Sequence, residues 1–151
     1  MMALLQSGDQ APTFSLPNQD GAMVESSSYA GKYVLMWWYP KADTPGWTIE
    51  GNGFRDRIQE FEDSNAVIIG LSFDSTSDNQ AFKNKFEFPF DLLSDTEKTV
   101  SVSFGAAKSD QEKASRVSVL IGPDGKVAKS YATVNPAEHP GQVLNDIAKL
   151  S

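Results

Sequence analysis

Val34-Leu35-Met36-Trp37-Trp38-Tyr39 is the most apolar stretch of the chain, and it ends abruptly at Pro40. Apolar residues that run on without alternating with polar ones, rich in β-formers, predict a strand buried on both faces. Trp37 and Trp38 then point to opposite sides of the sheet, one packed under each face. From Thr48 to Asp63 the pattern changes: Ile49, Phe54, Ile58 and Phe61 recur at helical intervals among charged residues, which predicts an amphipathic helix after a short loop. Val67-Ile68-Ile69-Gly70-Leu71-Ser72-Phe73 reads as a second buried strand. Strand, helix and strand in this order imply a right-handed βαβ unit with a parallel pair.

Around this unit the other signals are local. Phe14-Ser15-Leu16 and Ala22-Met23-Val24 flank Asn18-Gln19-Asp20-Gly21, a turn sequence, and predict an N-terminal hairpin that caps the sheet. Helices are expected over Asp78 to Phe86, with Ala81, Phe82 and Phe86 on one face, and over Glu97 to Phe104, after Leu92-Leu93-Ser94-Asp95. Residues 117–121 and 126–131 form the clearest hairpin, turned by Gly122-Pro123-Asp124-Gly125. A last helix runs from Pro140 to Leu150, with Val143, Leu144, Ile147 and Leu150 in one stripe. The sum is a single α/β domain over residues 1–151, without repeats or linkers.

Composition narrows the chemistry. The 151 residues include no cysteine, which removes disulfides, thiolate catalysis and cysteine metal ligation. Twenty acidic against 13 basic residues give a net charge of -7, so neither nucleic acid nor an anionic membrane is an expected partner. The start, Met1-Met2-Ala3-Leu4-Leu5, lacks a basic region and turns polar at once, as expected of a cytoplasmic protein.

The segments GDQAPTFSLPNQDG (8–21), YAGKYVLMWWYPKADTPG (29–46), GFRD (53–56), FPFDLLSD (88–95) and RVSVLIGPDGKV (116–127) span most of the chain. Together they resemble the bacterioferritin-comigratory, or PrxQ, branch of the peroxiredoxins, within the AhpC/TSA group. The resemblance implies a thioredoxin-like fold with a central mixed sheet, no cofactor, and an active site of the form P-x-x-x-T-x-x-C. Pro40, Thr44 and position 47 match that spacing, but position 47 is Trp47. Asn52 stands where many members of the branch carry the resolving cysteine. Glu50 matches a carboxylate common one turn into the helix, and Arg116 the arginine that lines the peroxide pocket.

In such an enzyme a thiolate at a helix N-terminus, its pKa lowered from ~8.5 by the dipole and a cation, attacks the peroxide O–O bond. An indole supplies only an N–H donor and a large apolar body. Thr44 can hold a peroxide by hydrogen bonding but lacks a base to activate it, since the one histidine, His139, is remote in sequence. The chain is therefore expected to be a pseudoenzyme without peroxidase turnover, acting through binding or regulation. The alternative is an antioxidant that consumes oxidant stoichiometrically at Met36 and the three tryptophans.

Removing the thiolate leaves Arg116 as an expected buried cation in need of a partner. Glu50 beside it, Trp47 stacked on it, or a small anion at the helix N-terminus would each serve. The site is open to a small anion or a protein partner, and the chain to a monomeric or homodimeric state. Trp47 reads either as a plug in an obsolete cavity or as a ligand platform. Gly51-Asn52-Gly53 is poor helix material, a relic of an enzyme or a mobile recognition segment. Glu60 to Asp63 reads as a solvated helix face. His139, at the start of the last helix, reads as an ordinary terminus residue, and a lone histidine makes no metal site.

Overall fold

A computed structural model describes residues 4–41, 45–108 and 114–150, with the side chains of residues 45–47 outside that description. The predicted buried run becomes strand β3, Tyr33–Trp38, at the centre of a five-stranded sheet of order β5-β4-β3-β6-β7. Strand β3 runs parallel to β4 (Ala66–Ser72), which runs parallel to β5 (Asp91–Ser94). On its other side β3 is antiparallel to β6 (Ser118–Ile121), which pairs with β7 (Val127–Tyr131) in the predicted hairpin. The fold is thioredoxin-like α/β, with a mixed central sheet and a separate N-terminal hairpin of β1 (Ser15–Pro17) and β2 (Met23–Glu25).

The two faces of β3 found two cores. Leu35, Trp37 and Tyr39 face one side, where Phe54, Phe61, Phe82, Val143 and Ile147 from the helices cover them. Val34, Met36 and Trp38 face the other, against Phe104, Val119, Phe14 and Leu16. The tryptophans thus divide between the faces as their alternation requires. Gly70, beside Trp37 in register, makes room for it: a Cβ there would lie 3.0 Å from the Tyr39 ring and 3.1 Å from the Trp37 indole.

The expected helix over Thr48 to Asp63 is two helices, α1 (Pro45–Asp56) and α2 (Ile58–Asp63). The chain breaks at Arg57, whose φ of -113° and ψ of 16° leave the helical region. The apolar spacing of Phe54, Ile58 and Phe61 continues across the break, so periodicity gives no sign of it. Helix α1 starts three residues earlier than expected, at Pro45, a residue type favoured in the first helical turn. Helix α3 (Thr76–Phe86) is capped by Ser75, whose hydroxyl accepts from the Asp78 N–H at 3.2 Å. Helices α4 (Thr99–Ser103) and α5 (His139–Leu150) lie within a residue or two of expectation. Strand β5 was not anticipated as a strand. The N-terminal hairpin caps it: Gln19 Oε1 accepts from the Leu92 N–H at 3.0 Å, and Gln19 Nε2 donates to Asp91 at 3.2 Å. A side-chain amide thus takes hydrogen bonds at the sheet edge that another strand would otherwise make.

Helix α1 sits against its neighbours through glycine. A Cβ on Gly51 would lie 2.5 Å from Phe88 Cζ, and one on Gly53 would lie 2.8 Å from Pro140 Cγ. Helix propensity alone says that Gly51→Ala gains ~1 kcal/mol. The contact reverses the sign: overpacking is expected to cost about 1–3 kcal/mol in urea or thermal unfolding. A variant as stable as the parent would contradict this packing.

Candidate functional site

The candidate site lies where β3 ends and α1 begins. Trp37 on β3 and Phe54 on α1 meet with ring centroids 5.6 Å apart, and Tyr39 continues the cluster at 4.8 Å from Trp37. Glu50 lies one turn before Phe54 on the same helical face. Burying that face carries the carboxyl inside with it.

Glu50 is 1% exposed, and among the described residues neither carboxylate oxygen has a hydrogen-bond partner. Desolvation pushes its pKa up to about 8, against the opposing pull of the Arg116 charge. Near pH 7 Glu50 is therefore mainly a neutral acid, able to donate one hydrogen bond and accept others. Trp37 Nε1 and Asn52 Oδ1 are likewise buried without a partner among the described residues. Buried polar groups in this state are rare in folded proteins, and their concentration on β3 and α1 marks the site.

The other predicted residues fall as follows. Pro40 is half-buried at the end of β3. Thr44 lies outside the described residues. Trp47 has its backbone in the first turn of α1, and its side chain is outside the description. Asn52 is half-buried in the middle of α1. Arg116 corrects an expectation: it is exposed, in the bend before β6, and not a buried cation. The desolvation falls on the buried Glu50 carboxyl instead. Arg116 is near enough for its charge to act on the Glu50 carboxyl.

His139 is the second correction. It is fully buried, with Nε2 2.9 Å from Ser118 Oγ and Nδ1 3.1 Å from Gln142 Oε1. Its ring packs edge-on to Tyr131 and Phe54, at 4.8 and 5.8 Å. Burial lowers its pKa, outweighing Gln142 and Asp146, which act to raise it. Sequence reasoning missed this because a polar residue before proline at a helix start is usually solvated. A Ser–His pair at 2.9 Å has the spacing of a nucleophile and its base. Both members are 0% exposed, so no reactant reaches them and the pair is structural. Glu60, Glu62 and Asp63 are exposed, as expected of a solvated face. Among the described residues no three His, Cys, Asp or Glu side chains are grouped as metal ligands.

Residues 7–130 match the family model described as the AhpC/TSA family. The chain belongs to the AhpC/TSA family. This AhpC/TSA chain is 37% identical to peroxiredoxin Bcp of Escherichia coli over 147 residues, covering 93% of the chain and 94% of that protein. It is 33% identical to peroxiredoxin Bcp of Bacillus subtilis over 153 residues, covering 97% and 98%. Among solved structures it resembles peroxidoxin BcpB from Mycobacterium tuberculosis, with a TM-score of 0.91, 28% identity, and 97% and 99% of the two chains covered. The bacterioferritin comigratory protein of Xanthomonas campestris gives a TM-score of 0.86 at 27% identity, with 99% of each chain covered. Its relatives within the family are thus of the Bcp and PrxQ type, and this member has no cysteine at any position.

The Glu50 carboxyl has a measurable signature. An acid whose folded pKa exceeds its unfolded value favours the folded state below the unfolded pKa and loses that advantage as pH rises through the folded one. Between about pH 4.5 and about pH 8, the melting temperature of the parent is therefore expected to fall relative to that of Glu50→Gln, which is neutral throughout. A constant difference across that range would mean that Glu50 is not desolvated.

Proposed function

We propose that this AhpC/TSA protein does not reduce peroxides through a thiol and acts by binding at the position of the former active site. The observation that carries this reading is the absence of cysteine from all 151 residues, within a chain whose relatives are peroxiredoxins. An X. campestris relative is described in terms of alkyl peroxide reduction activity. Thiol chemistry of that kind needs a thiolate, and tryptophan at position 47 cannot supply one near neutral pH.

The occupant we favour is a small anion. Glu50, held mainly neutral, brings little negative charge to repel one, and Arg116 adds a cation whose charge reaches Glu50. A protein partner is the second reading, favoured by Ile49, an apolar residue 53% exposed on α1. Against the stoichiometric antioxidant stand Met36, Trp37 and Trp38, each 0% exposed, which an oxidant would have to enter the core to reach; the side chain of the third tryptophan, Trp47, lies outside the described residues. The reading includes a cytoplasmic, monomeric or homodimeric protein. Among the described residues no helix is long and apolar enough to cross a membrane.

Peroxide consumption tests the loss of chemistry. The parent, supplied with thioredoxin or dithiothreitol, is expected to consume hydrogen peroxide no faster than buffer. The double variant Trp47→Cys, Asn52→Cys is expected to turn over. In a well-studied hydrolase, removing the nucleophile costs on the order of 10⁶ in rate, so the contrast is large. Turnover by the parent would overturn the reading.

A further inference from the structure

His139 joins three elements at one point. It opens α5, its Nε2 meets Ser118 on β6 at 2.9 Å, and its ring lies against Phe54 of α1. Ser118 is paired in register with Trp37 on one side and Tyr131 on the other, so it is fixed in the middle of the sheet. The next residue, Pro140, is where α5 meets the missing side chain of Gly53. Gly51 and Gly53 give α1 little helical stability of its own, so the helix depends on what packs against it.

We propose that the His139–Ser118–Gln142 bonds form a latch, released by a proton on the imidazole, that holds the first turn of α5 and through it the site helix α1. A neutral imidazole has one donor and one acceptor. The network assigns Nδ1–H as donor to Gln142 Oε1 and Nε2 as acceptor from the Ser118 hydroxyl. A proton added at Nε2 turns that acceptor into a donor. The Ser118 O–H then loses its acceptor, and a cation is created in the core at the positive end of α5.

Titratable and charged groups approach the ring and the first turn of α5 from α5 itself, from the junction of α1 and α2, and from β7. On α5, Asp146 favours the cation, but its carboxylate already accepts from Tyr131 at 2.6 Å and pairs with Lys129 at 3.1 Å. Between α1 and α2, Arg57 reaches the first turn of α5, with Nη1 2.8 Å from where a Gly141 Cβ would stand. Arg57 is itself held by Glu60 at 2.6 Å. Tyr131, on β7, is a neutral phenol whose burial and Asp146 keep its pKa raised. Burial of His139 lowers its pKa, in the direction that makes protonation and release go together. Within α1, Glu50 acts in the opposite direction, because opening the helix lets it ionise.

Amide exchange of residues 45–56, measured by mass spectrometry and corrected for the intrinsic rate, tests the latch in a Glu50→Gln background, where the opposing proton is removed. Between about pH 7.5 and about pH 5, α1 protection is expected to fall once pH drops below the ordinary histidine range, by up to tenfold per unit. Adding His139→Gln is expected to abolish that dependence, because glutamine can meet Ser118 but takes up no proton. If that variant fails to fold, Ser118→Ala serves instead, since a ring without its Oγ partner is expected to titrate closer to the ordinary value and to weaken the dependence. Protection of α1 that ignores pH in the Glu50→Gln protein, or that keeps its full dependence in both further variants, would overturn the latch.

Discussion

The arrangement rests on the close approach of a glycine-bearing helix to its neighbours. Without side chains at positions 51 and 53, α1 lets Phe88 and Pro140 come up against its backbone. That approach drives Phe54 onto Trp37, carries Glu50 out of water, and brings the first turn of α5 within reach of the sheet. A bulkier helix would stand further off and leave the carboxyl wet. Glycine therefore weakens the helix as a local structure and permits the packing that holds it, and the two effects must be weighed together.

Electrostatics at the site follow from that burial more than from charge pairing. A thiolate enzyme needs an anion stabilised by a cation and a helix dipole. Here the buried ionisable group at the site is an acid with no hydrogen-bond partner among the described residues, and the cation is exposed. The carboxyl answers by holding its proton. Neither a neutral carboxylic acid nor a guanidinium is a nucleophile toward an O–O bond.

Much of this was legible in the chain, and the failures have physical causes. Strands β3 and β4, the β6–β7 hairpin and α5 announce themselves because their apolar patterns are long or bounded by turn residues. Strand β5 is only four residues and follows Phe86 to Phe90, whose aromatic density masks a change of element. The break at Arg57 is invisible because a periodicity of side chains does not report one residue's φ and ψ. At the site, the motif spacing drew attention to Glu50, Asn52 and Arg116. It did not say which would be buried, because burial depends on how α1 docks. Arg116 was expected inside and lies outside, whereas His139 was read as an ordinary helix-terminus residue and lies in the core. In both cases tertiary packing decided what local sequence could not.

The protonation state of Glu50 is where fold and chemistry meet, and it can be read directly. A titration of its side-chain carboxyl carbon by NMR is expected to show a midpoint near pH 8, raised from the ordinary 4.5 by burial. A midpoint near the ordinary value would mean that the carboxyl is solvated or paired. Helix α1 would then not dock as described, and the account of the site as a buried neutral acid beside an exposed cation would fail.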